Sequence, residues 1–322
     1  MMRRFVVLAV ATVVAALAWS RYRGRRSAVP RTITGIFPNG MAYARWGSGP
    51  KTLMIIPGGP GNQAPSGRGM GMMLGTLRRR FLERGYSLWV VTRKRDMPEG
   101  HRIADMADDY AGLIRDEFGG RVDTVLAISY GGLIGLSLAA RHPDRFEHVV
   151  IASSGYRLGE RGLALDLEFA RLQSEGRRSE LGAFMFRMML PRNRIPGLDR
   201  LVGVVLGRLM VAGSHPYLRS DALVEAEAER AYDARDILPT ISVPVLLIGG
   251  DRDEFFPAEI IEETARLIPD CTLRLYAGKG HAQMLTDGRV PEEMLDFIAR
   301  HPRSETVARA SEAPPEPVVA EA

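Results

Sequence analysis

The chain has 322 residues, 46% of them hydrophobic and 25% charged, which allows a large buried core and excludes a disordered or fibrous protein. Its formal charge of +5 comes from six arginines within residues 1–26, a stretch without acidic residues; the remainder is close to neutral, so no nucleic-acid partner is expected. The single cysteine, Cys271, excludes an intramolecular disulfide and a multi-thiolate metal cluster, and its neighbours Leu273 and Leu275 mark a core or near-core thiol.

Residues 5–19 read FVVLAVATVVAALAW between arginines on both sides. At about 1.5 Å per residue they reach about 22 Å, short of the roughly 30 Å hydrocarbon layer. That length suits an export signal, with Ala16-Leu17-Ala18 as small cleavage-site residues, whereas Arg21, Arg23, Arg25 and Arg26 favour a retained anchor. Residues 1–30 are therefore expected to make a membrane contact through residues 5–19, or to direct export followed by cleavage.

From residue 31 the text becomes strand-like. Runs at 32–36 and 41–46 flank Pro38-Asn39-Gly40 and predict an antiparallel hairpin. The apolar run 52–56 predicts a strand ending in Pro57-Gly58-Gly59-Pro60-Gly61, followed by a helix over 72–83 and a strand over 87–92. Ile103, Met106, Tyr110 and Ile114 recur at helical spacing and predict a helix over 103–118. Strands over 122–128 and 146–152 enclose a helix over 132–141. This alternation signals an α/β fold with a largely parallel sheet covered on both faces. Between about 156 and 236 only helical periodicity remains, with a Met-rich run at 184–190 and an aliphatic one at 201–211. The pattern resumes with a strand over 243–248, a helix over 258–267, a strand over 272–276 and a helix over 291–299. Beyond Pro302 the tail lacks periodic apolar content and reads as disordered.

The chemistry centres on Ala127-Ile128-Ser129-Tyr130-Gly131-Gly132, at a predicted strand–turn–helix junction. A serine there sits at the carboxyl edge of the sheet, where such folds bind ligands. The sharp turn needs small residues two positions either side, and Ala127 stands where the G-x-S-x-G elbow has glycine. Ser129 is the expected nucleophile and needs a base. Among His101, His142, His148, His215, His281 and His301, only His281 follows a strand through a loop (Ala277-Gly278-Lys279-Gly280) on that same edge. The strand over 243–248 runs into Gly249-Gly250-Asp251-Arg252-Asp253-Glu254. Asp253 is the preferred partner for the imidazole; Asp251, which reads more as a turn holder, and Glu254 remain alternatives, as does the reading of all three as solvated loop carboxylates. The oxyanion donors expected are the backbone N–H groups of Tyr130 and Gly59. No metal and no organic cofactor is expected.

PGGPG at 57–61, AISYGG at 127–132, GGDRDEFFP at 249–257 and GKGH at 278–281 together resemble the α/β-hydrolase superfamily, cap-bearing type. The resemblance implies a mostly parallel eight-stranded sheet, with a core of 31–155 and 237–300, a helical cap of 156–236 and a tail of 301–322. It carries the nucleophile, acid and base onto Ser129, Asp253 and His281, and the oxyanion amides onto Gly59 and Tyr130. It implies a serine hydrolase that cleaves an ester or related acyl bond of a small, partly apolar substrate. PGGPG also resembles, more weakly, the proline iminopeptidases, although Pro57 replaces their usual histidine. An aminopeptidase or amidase is therefore one alternative, with Glu160, Glu168, Glu225, Glu227 and Glu229 able to hold an amino terminus or else forming a solvated helix face. A non-catalytic binding protein on the same fold is the other. Methionines at 70, 72 and 73 and at 185, 188 and 189 can line an apolar pocket or simply pack in the core.

Overall fold

Alternating apolar runs of four to seven residues form eight strands: β1 (Ile33–Ile36), β2 (Ala42–Trp46), β3 (Lys51–Ile56), β4 (Tyr86–Val91), β5 (Val122–Ile128), β6 (Phe146–Ala152), β7 (Val245–Gly250) and β8 (Cys271–Tyr276). The computed structural model describes residues 31–59, 74–189, 204, 217–284 and 287–302, and of 185–189 and 282 only the backbone. By contacts the chain divides into Met1–Thr32 and Ile33–Ala322, and the sheet belongs to the second unit.

The strand order is β1-β2-β4-β3-β5-β6-β7-β8. The first two pairings are antiparallel, and β4 through β8 run parallel. The helices are α1 (Gly75–Leu82), α2 (Ile103–Glu117), α3 (Tyr130–Arg141), α4 (Glu160–Ser174), α5 (Arg178–Met189), α6 (Leu218–Arg230), α7 (Ala258–Leu267), α8 (His281–Met284) and α9 (Val290–Arg300). Period-two alternation gives the sheet two apolar faces. Met54, Ile56, Val125, Val149, Ile151 and Leu247 pack with the α2, α3 and α7 side. Leu53, Ile55, Leu126, Val150, Leu246 and Ile248 pack with α1 and α9. The fold is the α/β arrangement read from the alternation.

The run between β6 and β7 carries α4, α5 and α6. Phe169, Leu172, Leu181 and Phe184 form a small separate core between α4 and α5. Apart from Val204 the aliphatic run 201–211 lies outside the described residues, as do Met70, Met72, Met73, His215 and the tail beyond 302. Cys271 is half-buried, and burial pushes its thiol up to about 12, which suits the near-core role read for it.

The membrane-associated or exported localisation requires correction. Among the described residues no helix is long and apolar enough to cross a membrane. Residues 5–19, on which that expectation and the expected membrane contact rested, lie outside the described residues.

One irregularity of the sequence has a packing explanation. The Ala127 methyl, where the elbow pattern has glycine, is accommodated because α3 presents Gly135 beneath it: a Cβ at Gly135 would fall 2.5 Å from the Ala127 Cβ and 3.0 Å from the Ile151 Cδ1. Gly135→Ala is expected to destabilise the fold by about 1–3 kcal/mol through overpacking, and Ala127→Gly in the same chain to recover most of that loss. Urea unfolding of the two variants checks it; equal stability of Gly135→Ala and wild type would contradict it.

Candidate active site

Each candidate residue follows the carboxyl end of a parallel strand. Ser129 lies between β5 and α3 with φ 53° and ψ −119°, a sparsely populated conformation that costs on the order of 1–3 kcal/mol and persists only where its surroundings over-determine it. Here the Ser129 N–H donates to the Ala152 carbonyl (2.9 Å), and the Gly132 N–H donates to the Ser129 carbonyl (2.7 Å). Those bonds lock the elbow to β6 and to the first turn of α3.

Ser129 Oγ is 2.8 Å from His281 Nε2, and His281 Nδ1 is 2.8 Å from Asp253 Oδ2. The acid is fully buried and the imidazole 17% exposed. The second oxygen, Asp253 Oδ1, accepts the N–H groups of Phe255 (2.8 Å) and Phe256 (3.1 Å). Both lone-pair sets are therefore committed, which fixes the carboxylate's rotation. The Phe255 ring tilts over the imidazole at 4.5 Å and that of Phe256 stacks at 6.1 Å. These flanking rings were missed by the sequence reading, although the FFP that follows the acid was visible in the text.

The acid and histidine loops are stitched together. The Arg252 N–H donates to the Lys279 carbonyl (2.9 Å), and the Gly278 N–H donates to Asp251 Oδ1 (2.6 Å). Asp251 is thus the turn holder, as its position after the glycine pair suggested. Glu254 is exposed and pairs with Arg161 at 3.4 Å. Of the other histidines within the described residues, His101 pairs with Asp109, His142 with Asp108, and His148 with the His301 carbonyl.

The loop after β3 presses on the serine. A Cβ at Gly58 would lie 2.7 Å from the Ser129 Cβ and 3.4 Å from its Oγ, so only glycine fits there. The neighbouring Gly59 has φ +76° and its carbonyl accepts a hydrogen bond from Arg93 Nη2 (2.6 Å). Tyr130, the first residue of α3, is buried, and burial pushes its phenol well above its ordinary range.

The five glutamates that the sequence offers as amino-terminus ligands or as a solvated face do not share one environment. Glu160, Glu168 and Glu227 are exposed. Glu225 is instead fully buried in an ion pair with Arg93 Nε at 2.7 Å. Glu229 is buried as well; neither oxygen has a well-formed hydrogen bond, and the group facing it is the Asp166 carboxyl of α4. Burial, reinforced by Asp166 and Glu225 and opposed by Arg93, pushes the Glu229 carboxyl well above the usual carboxylate range. Asp166 is pushed up too, by burial first, with the charge of Asp253 adding to the rise and Glu229 and His281 opposing it.

A carboxyl raised on folding stabilises the folded state below its unfolded pKa and progressively less as pH rises toward the folded value. Glu229→Gln is therefore expected to be more stable than wild type at pH 9, by about 1 kcal/mol or more, with the difference closing as pH falls below the ordinary glutamate range. Thermal melts at pH 4 and pH 9 test this; a variant less stable at pH 9 would contradict it.

Residues 64–296 match the alpha/beta hydrolase family, more than two thirds of the chain. A pimeloyl-[acyl-carrier protein] methyl ester esterase of Neisseria meningitidis is 31% identical over 232 residues, covering 66% of this chain and 70% of that protein. Among solved structures, the enol-lactonase of Burkholderia xenovorans LB400 aligns with a TM-score of 0.59 at 21% identity, covering 81% of this chain and 98% of that one. A bacterial membrane phospholipase A aligns with a TM-score of 0.64 at 21% identity, covering 94% and 100%. At that identity the two structures are evidence of a shared fold and nothing more. The chain belongs to the alpha/beta hydrolase family and is a hydrolase.

Proposed function

We propose that this chain is a serine esterase that hydrolyses a carboxylic ester of a small, partly apolar acyl group through an acyl-enzyme intermediate. The observation that carries the reading is the continuous chain of contacts from Ser129 Oγ through His281 to the buried Asp253, 2.8 Å at each step, with Gly58 against the hydroxyl. Likeness to a methyl ester esterase over 70% of that protein's length supports the bond class.

His281 Nε2 takes the Ser129 proton as the oxygen attacks the acyl carbon. The tetrahedral oxyanion rests on the backbone N–H groups of Gly59 and Tyr130. His281 returns the proton to the departing alcohol, and a water that it then deprotonates releases the acid. Asp253 holds the imidazole with Nδ1 protonated and stabilises its charged form. In this reading 31–155 and 237–300 form the catalytic core, and 156–236 form a cap that shapes the substrate pocket.

The amidase alternative is weakened at Glu225, whose carboxylate is already committed to Arg93 and could bind an amine only by leaving a buried guanidinium unpaired. The full chain and its Ser129→Ala variant are to be assayed on p-nitrophenyl esters of graded chain length and on prolyl and other aminoacyl amides. Ester turnover confined to the wild type is expected. Amide turnover in the wild type without ester turnover would overturn the esterase reading in favour of a peptidase or amidase.

A further inference from the structure

Arg93 follows β4 by two residues and opens the basic run Arg93-Lys94-Arg95, yet its side chain is only 2% exposed. Its planar fork is spent on three acceptors: Nη1 donates to the Pro57 carbonyl at 2.8 Å, Nη2 to the Gly59 carbonyl at 2.6 Å, and Nε to Glu225 Oε1 at 2.7 Å. The guanidinium carbon also lies 5.0 Å from the centre of the Tyr130 ring. Burial alone would lower its pKa, but the Glu225 charge and hydrogen bond hold it above its ordinary value, so the group is a permanent cation.

Two of the three acceptors belong to the loop that lies on Ser129. The third belongs to α6, whose chain lies between β6 and β7. α6 is tied to the same edge of the sheet by two further buried bonds. The Tyr130 hydroxyl donates to the Glu225 carbonyl (3.0 Å), and the Met97 N–H donates to Asp221 Oδ1 (3.0 Å). Asp221, Glu225 and Glu229 recur every fourth residue and so form one buried acidic stripe on α6.

We infer that Arg93 is a positioning residue that holds the Pro57–Gly59 backbone in register with Ser129, and that its ion pair with Glu225 makes this register depend on the seating of α6. Only a planar, multidentate donor can span two carbonyls and a carboxylate at once; a lysine ammonium, a point charge on a flexible stem, cannot reproduce the fork. An amide displaced from the developing oxyanion loses the stabilisation that a preorganised donor supplies. This inference rests on the esterase reading above, because its readout is the oxyanion of that reaction.

The test uses the full chain with three changes: Arg93→Lys, Arg93→Ala, and Arg93→Met combined with Glu225→Leu. For Arg93→Ala, kcat for a p-nitrophenyl ester is expected to fall by about 10²-fold, the size of losing one oxyanion donor. KM should stay within about threefold. Millimolar guanidinium should restore kcat by about tenfold, while sodium chloride at equal ionic strength should not. Arg93→Lys should stay folded and still lose kcat.

The double variant separates catalysis from folding, because an apolar pair of similar volume can replace a buried ion pair without loss of stability. Its melting temperature should match the wild type while kcat stays low, and it decides alone if Arg93→Ala does not fold. Wild-type kcat in folded Arg93→Lys, or recovery of both stability and kcat in the double variant, would overturn the inference and leave the esterase reading standing. A wild type that turns over no ester and takes no serine-directed label would overturn both together, and would show this before any Arg93 variant is made.

Discussion

Ser129→Ala is expected to lower kcat for ester hydrolysis by on the order of 10⁴- to 10⁶-fold, with thermal unfolding changed little. The size follows from what the hydroxyl does. In the proposed mechanism its oxygen is the one that bonds to the acyl carbon, and without it the proposed oxyanion donors and His281 can only assist a water. Alanine removes an oxygen 2.8 Å from His281 Nε2 without disturbing the backbone bonds to Ala152 and Gly132 that hold the elbow. A folded Ser129→Ala protein retaining a tenth of wild-type turnover would show that the reaction runs elsewhere.

The second large effect is expected at the acid. In Asp253→Asn the side-chain oxygen must stay on the Phe255 and Phe256 N–H groups, since both are donors and an amide NH₂ there would leave two buried N–H groups facing a third. The NH₂ then faces His281 Nδ1, which can only accept. That forces the proton onto Nε2, which already faces Ser129 Oγ, and a protonated Nε2 cannot take the serine's proton. kcat is expected to fall by about 10⁴-fold near neutral pH, with KM changed little. The distinguishing measurement is an imidazole NMR spectrum of the variant, in which the slowly exchanging ring proton should move from Nδ1 to Nε2. A ring proton that remains on Nδ1 would refute this explanation of the loss.

Much of this was legible because the relevant signals are local. The strand over Val122–Ile128 and the serine behind it could be read from the apolar run Val125-Leu126-Ala127-Ile128 and a glycine pair. His281 and Asp253 were singled out because each follows a strand that must end on the same edge of a parallel sheet; the structure brings both to Ser129. What could not be read is long-range. Arg93 in its basic run looks like a solvated charge, and Glu225 looks like one acidic residue among several on an exposed helix; their partnership spans 132 positions. The i, i+4 spacing of Asp221, Glu225 and Glu229 was available, but spacing alone does not say whether a stripe faces water or a buried guanidinium. Ala127 was flagged as a mismatch, and its remedy, Gly135 one helical turn further into α3, becomes visible only when strand and helix are packed. The N-terminal segment taught the opposite lesson: an apolar run supported a localisation that the described part of the chain does not sustain.

The most direct measurement is covalent capture with a fluorophosphonate followed by peptide mapping of the full chain. One adduct is predicted, on the peptide carrying Ser129. It should be absent from Ser129→Ala and form far more slowly in Asp253→Asn. Adduct on another hydroxyl, such as the nearby Ser153 whose Oγ donates to the His281 carbonyl at 3.4 Å, or a folded wild type that takes no label, would contradict Ser129 as the nucleophile.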